Sequence, residues 1–185
     1  PERGISAIEV VSGAIASMKL GRIDSETTAN IGFISGGNAI NIIPPLVEIK
    51  GEVRSHTLAK LLKQTAHMED CFRKAVRKAF IKVKGRTLKP SYEFLVERKF
   101  PGLAISRSNP VLPLIAAAMK EMGIKMKTFA SGGGTDANIM CGHGIEAPIL
   151  ATGMREVHTT HEYLDLKDFH NCARLAVKIV GSARF

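Results

Sequence analysis

SGGGTDANIMCGHGIEAPILATGMREVHTTHEYLD, residues 131–165, sets three signals side by side: a triple-glycine turn, a short apolar run, and a loop carrying His158 and His161. Lys125 to Ala130 before it reads as a strand, Asp136 to Cys141 as a short helix and Ala147 to Ala151 as a buried strand. Asp165 then sits where a helix cap belongs, ahead of a stripe of Leu166, Phe169, Ala173, Ala176 and Val180. Helix and strand in alternation predict α/β architecture with a largely parallel sheet.

Working back from this stretch, Pro110 suits the first turn of a helix capped by Asn109, with Val111, Leu114, Ala118 and Met122 on its inner face and Gly123 at its end. Regular patterning breaks at PGLAISRSNP, which places a domain boundary near residue 102. In the first domain, residues 1–102, Ile5, Ile8, Val11, Ile15 and Met18 predict a helix over Gly4–Met18. Thr28 to Ile34 alternates weakly, and Val47, Ile49, Gly51 and Val53 alternate with polar neighbours, which puts Arg54 on the polar face of a strand. A stripe from Leu58 to Phe80 predicts a second helix from about Thr57 to Ile81, and Tyr92, Phe94 and Val96 a third strand. The order α, β, β, α, β lacks only a leading strand to make a ferredoxin-like βαββαβ sandwich, with helices on one face of an antiparallel sheet. The chain opens on Pro1 in an amphipathic helix, so polypeptide is expected upstream.

Composition narrows the function classes. The 185 residues are 45% hydrophobic, with no run of about 18 apolar residues that a membrane helix needs. Cys71, Cys141 and Cys172 are odd in number, widely spaced and outside any CxxC pair, which argues for buried thiols in a reducing, cytoplasmic setting. Between Thr57 and Lys89, ten Lys or Arg stand against two acids within a net charge of +9. Such a run serves a nucleic-acid or acidic partner, or simply solvates a helix face. With no aromatic residues interleaved for base stacking, the solvated face is the preferred reading and nucleic acid is not expected.

The chemistry-bearing candidates start with the glycine turn. Gly133 and Gly134 let backbone approach a ligand closely, and free amides ahead of Asp136 favour an anionic group. The same turn also serves as a plain bend. No Lys-Ser/Thr pair follows, so a Walker phosphate loop is not indicated. His158, on a loop just after a predicted parallel strand, is where open α/β sheets place ligands, and neutral imidazole is the commonest zinc ligand, although a lone loop histidine is also an ordinary surface residue. His158 and His161 lack the helical i, i+4 spacing and glutamate of a zincin, so His161 is read as a bystander. His56, His67, His143 and His170 show no ligand spacing.

The GGxDAN-type turn followed by HTTxEYL resembles the C-terminal active-site segment of the dinuclear zinc aminopeptidases and amidohydrolases related to peptidase T, carboxypeptidase G, aminoacylase and succinyl-diaminopimelate desuccinylase. GISAIEV, GRIDSETTANIG, GGNAINIIP and VEIKGEVRSH extend the resemblance over essentially the whole chain and look most like the peptidase T branch. The resemblance implies a lid or dimerisation domain (residues 1–102) followed by the C-terminal part of a zinc-peptidase catalytic domain (residues 103–185). It implies His158 as the last metal ligand, with Gly133, Gly134 and Asp136 beside the substrate. Asn41 and Arg54 become a substrate-contacting lid pair that reaches, in dimeric members, into the neighbouring subunit's cleft. An amide polarises a carbonyl and a guanidinium forks onto a carboxylate, as those roles require. Taken without the resemblance, Asn41 is a turn residue and Arg54 a solvated one.

The sequence departs from the family pattern at His161, where relatives commonly carry an acid, and at Pro45, where they usually carry Asp. It also lacks the family's upstream His-x-Asp pair, bridging Asp and Glu-Glu pair. The expected parent is therefore a metal-dependent aminopeptidase, tripeptidase-like and homodimeric through its lid. It holds two divalent ions, zinc or alternatively cobalt or manganese, whose shared water attacks short peptides after a glutamate takes its proton. These 185 residues alone are expected to be inactive. Other amidohydrolases of the group, acting on N-acyl amino acids or as carboxypeptidases, and a non-catalytic dimerisation module are the alternatives.

Overall fold

A computed structural model describes residues 2–183. Contacts divide the chain into two compact units between Glu97 and Arg98. In the first unit, α1 (Ala7–Ala16) starts at Ser6, whose Oγ accepts from the Glu9 amide at 3.3 Å. β1 (Gly21–Arg22), β2 (Thr27–Gly36) and β3 (Val47–Ser55) form an antiparallel sheet in that order. β2 and β3 pair from Thr27↔Ser55 to Gly36↔Val47, with a bulge between Ile31 and Phe33. α2 (Leu58–Lys78) packs on α1 and on both long strands, so the two helices cover one sheet face as the sequence predicts.

Ala14, Ala29, Met68 and Cys71 are the buried apolar residues of this unit. Gly51 makes the close approach possible, since a Cβ there would stand 2.7 Å from the Asn30 carbonyl and 3.5 Å from Met68 Cε. The turn before β2 is closed by Asp24, whose Oδ1 accepts from the amides of Glu26 at 3.0 Å and Thr27 at 2.9 Å. Those bonds, followed by Lys60, hold the Asp24 carboxyl below its ordinary pKa, and Lys60 bridges Asp24 at 3.4 Å and also meets Glu26.

The predicted third strand at Tyr92–Val96 is a correction: residues 89–106 form no ladder. Its alternation is nonetheless physical, because Tyr92 and Phe94 both stand against Phe72, with ring centroids 6.5 and 6.0 Å away. Period-two patterning reports side chains on one side of a segment, and a strand needs a hydrogen-bonded partner as well. A hairpin the sequence did not signal takes the intervening place, β4 (Ile81–Val83) and β5 (Arg86–Leu88), turned by Lys84 and Gly85 at φ +49° and +77°. Two positive φ values suit a two-residue hairpin turn, and Lys in the first position hides the usual Asn-Gly signal.

The second unit holds α3 (Val111–Glu121), α4 (Asp136–Gly142), the short pair β6 (Met154–Arg155) and β7 (Tyr163–Leu164), and α5 (Leu166–Ser182). Asn109 Oδ1 accepts from the Val111 amide at 2.9 Å and Asp165 Oδ1 from the Asp168 amide at 2.9 Å, which fulfils both predicted starts. Gly123 follows the end of α3 at φ +69°. Ile115, Ala118 and Leu175 are buried, α3 packs on α5, and Lys178 bridges Glu121 across them at 2.8 Å. The strands expected at Lys125–Ala130 and Ala147–Ala151 are a second correction, because neither segment is paired. An apolar run fixes where a buried strand would lie, while its existence depends on neighbours that the run does not itself encode. With helices over an antiparallel sheet in one unit and three helices with a short strand pair in the other, the chain is of mixed α/β class.

Candidate functional site

The triple-glycine turn is held from its C-terminal side. The Thr135 amide donates to Asn138 Oδ1 at 2.9 Å, the Asn138 amide returns to the Thr135 carbonyl at 2.9 Å, and Asn138 Nδ2 donates to the Pro101 carbonyl at 2.9 Å. Asn138 is 4% exposed, so each of these bonds satisfies a polar group shut off from water. A Cβ on Gly134 would stand inside the Phe100 ring, whereas one on Gly133 would meet only Ser131 Oγ at 3.6 Å and one on Gly132 nothing. The turn therefore rests on Phe100 through Gly134 and on Pro101 through Asn138, while the Gly133 amide donates to Ser131 Oγ at 3.3 Å and space remains around Gly132 and Gly133. Asp136 lies exposed in the first turn of α4, where a carboxylate is favourable.

The histidine loop is closed at its base by the pairs Met154↔Leu164 and Arg155↔Tyr163. Gly153, at φ +90°, accepts from the Asp165 amide at 3.0 Å, and a Cβ there would stand 2.8 Å from both the Asp165 carbonyl and Asp168 Cβ. An Arg155–Asp168 ion pair ties the base to α5. Above it the chain turns at Glu156 (φ +48°) and His158 (φ +67°), a conformation histidine tolerates better than most side chains. The His158 amide donates to Glu162 Oε2 at 2.8 Å, and the Thr159 hydroxyl donates to the Glu156 carbonyl at 2.7 Å. The backbone of His158 is thus fixed while its side chain, like that of His161, is exposed.

Among the described residues no three His, Cys, Asp or Glu side chains are grouped as a metal ion requires. A catalytic zinc takes about three protein ligands, so these residues do not form a complete metal site and no step is routed through one. The lid residues are likewise apart. Asn41 lies exposed in the turn beyond the Gly36↔Val47 end of the hairpin, and Arg54 pairs with Thr28 near the other end. Arg54 is half-buried and its guanidinium meets Glu52 at 2.9 Å.

The profile of the peptidase dimerisation domain matches residues 1–79, and that of the M42 glutamyl aminopeptidases residues 108–175. Aminopeptidase PepT from Bacillus cereus is 37% identical with a TM-score of 0.71, over 97% of this chain and 46% of that one. A tripeptidase from Staphylococcus aureus is 33% identical with a TM-score of 0.77, over the same shares. The chain is peptidase T-like.

The Bacillus subtilis protein YqjE is 37% identical over 99% of this peptidase T-like chain and 47% of its own length. A dinuclear metal-binding peptidase of the M20 family from the same organism, 16% identical with a TM-score of 0.55, shares the fold. This peptidase T-like chain spans about half the length of the relatives it matches.

In the peptidase T-like chain, two supports of the site escaped sequence reasoning. Asn138 and Glu162 hold the turn and the loop through backbone amides, and Thr135-x-x-Asn138 was legible as a cap pattern. Phe100, in an irregular stretch, carried no signal. Cys71 is buried, burial pushes its thiol pKa up, and it therefore stays protonated, in line with a structural role.

Proposed function

We propose that these residues are the lid and rear part of a metal-dependent aminopeptidase that removes N-terminal residues from short peptides, with tripeptides as the central case. The exposed His158, on a backbone fixed by Glu162 at the head of a closed loop, carries this reading. The names of two similar solved structures, an aminopeptidase and a tripeptidase, support it. His158 would give one ligand to a pair of divalent ions, zinc or alternatively cobalt or manganese, whose remaining ligands lie outside the residues described here. The M20 relative, a dinuclear metal-binding peptidase, supports the pair of ions. Gly133, Gly134 and Asp136 would lie beside the substrate, the space around Gly133 allowing its backbone a close approach.

The match to a dimerisation domain supports a homodimer through the lid, with Asn41 and Arg54 as its substrate-contacting residues. The boundary near residue 102 and a cytoplasmic setting belong to the same proposal; no helix of the described residues is long and apolar enough to cross a membrane. The 185 residues alone, assayed on trialanine with zinc, cobalt or manganese, are expected to show no hydrolysis. The same sequence within its full reading frame should release the N-terminal alanine in a metal-dependent way, and His158→Ala should abolish the reaction. Undiminished turnover by His158→Ala would overturn the reading.

A further inference from the structure

A cavity of about 350 Å³ lies wholly within the second unit. Phe100, Pro101 and Ile139 supply its apolar lining, and Gly142 completes it at the end of α4. A Cβ on Gly142 would stand 2.9 Å from Pro101 Cγ, so glycine is what lets α4 close against Pro101. The walls are set in advance. Asn138 Nδ2 holds the Pro101 carbonyl at 2.9 Å, and the missing Cβ of Gly134 leaves room for the Phe100 ring. Gly133, Asp136 and His158 are not among the lining residues, so the cavity is not part of the site proposed above, although Phe100 also supports its turn.

Every titratable residue in the lining is basic. Arg98, Lys99 and His143 stand there without an acid. Among the described residues the side chains of Arg98 and His143 make no hydrogen bond and no ion pair, which leaves their donors uncommitted. An imidazole keeps at least one N–H donor in either tautomer. The end of α4 does not offset this charge, because the carbonyls of Ile139, Met140 and Cys141 already accept from the amides of His143, Ile145 and Gly144. An apolar concavity of a few hundred Å³ with a few convergent polar groups is the usual form of a small-molecule site.

We propose that this cavity binds a small carboxylate with an apolar body, the carboxylate meeting Arg98, Lys99 and His143 and the body resting on Phe100, Pro101 and Ile139. A guanidinium takes a carboxylate through two parallel hydrogen bonds, and a purely hydrophilic anion would leave the apolar lining in contact with water. The same chemistry has two sources, a free organic acid or the C-terminal residue of a peptide. The site does not depend on His158 holding a metal.

The test is a proton–nitrogen NMR titration of the 185-residue chain at fixed ionic strength, with phenylacetate as the free acid and N-acetyl-leucine as the peptide terminus. At least one should shift the amides of Phe100, Gly142 and His143 saturably with a Kd of about 1 mM, and the tighter of the two names the source. Phenylacetamide, which lacks the charge, and acetate, which lacks the body, should each bind at least about fivefold more weakly than phenylacetate. Arg98→Gln should weaken binding at least about fivefold, and Ile139→Glu, which sets a carboxylate in the lining, should abolish it, both with unchanged circular dichroism spectra. No saturable shift at these amides with either acid up to about 20 mM overturns the proposal. So does phenylacetamide or acetate binding as tightly as phenylacetate, a comparison that needs no variant, or binding that neither substitution weakens.

Discussion

Asn41 and Arg54 stand beyond or near opposite ends of one β-hairpin, with β3 running between them. The seven residue steps from Val47 to Arg54 span about 23 Å at roughly 3.3 Å each, more than twice the length of an extended tripeptide. A short peptide held by Arg54 therefore does not reach the Gly36↔Val47 end of the hairpin, beyond which Asn41 lies. If each serves a shared cleft of a two-fold dimer from a different subunit, Asn41→Ala and Arg54→Ala enzymes should complement when mixed. In the complete enzyme, random mixing makes about half the dimers mixed, each with one intact site, so about a quarter of wild-type activity should return. Two single variants that stay inactive together would remove the shared-site reading.

Gly134→Ala should destabilise the second unit by about 1–3 kcal/mol, because its Cβ would enter the space of the Phe100 ring. Gly133→Ala, with only Ser131 Oγ at 3.6 Å, should stay within about 0.5 kcal/mol. Urea denaturation separates the two. A double variant Gly134→Ala/Phe100→Ala should show coupling, since the smaller residue relieves the clash while leaving its own cavity.

Asn138→Ala would remove, from a position only 4% exposed, both the acceptor of the Thr135 amide and the donor to the Pro101 carbonyl. A loss of about 1–3 kcal/mol is expected. Amide hydrogen exchange should show the deficit at Thr135 first. A variant as stable as the parent would mean that the turn is held by something other than these bonds.

Acid should weaken the first unit through Asp24. Its pKa is lowered in the folded state, chiefly by the Glu26 amide and then by Thr27 and Lys60, so the folded state prefers the ionised carboxylate. Its contribution is fully present above the unfolded value of about 3.9 and is lost as pH falls through the lower folded value. Melting temperature should drop below about pH 4, and Asp24→Asn should flatten that part of the curve. Glu121, lowered by Lys178, acts in the same direction in the second unit.

His158 adopts φ +67° and Glu162 holds its amide. His158→Gly should leave the loop folded or stabilise it by up to about 1 kcal/mol, since glycine accepts this conformation without cost. Glu162→Gln should loosen the loop, seen as faster exchange of the His158 amide. If the proposed metal role is right, His158→Gly nevertheless lowers the metal content of the complete enzyme.

Local chemistry was legible in the residues themselves. Helical stripes, the Asn109 and Asp165 caps, the Gly123 stop and the alternation within β2 and β3 were readable because each depends on neighbours within a few positions. The motifs around residues 131–138 and 158–163 pointed to the peptidase T-like family by the same short-range logic. Long-range relations were decided only in three dimensions. Pairing requires a partner strand, so the segments 92–96, 125–130 and 147–151 belong to no sheet. A residue's number also carries no distance, so only the register of β2 on β3 could show that Asn41 and Arg54 lie far apart, and only packing could place Phe100 against Gly134.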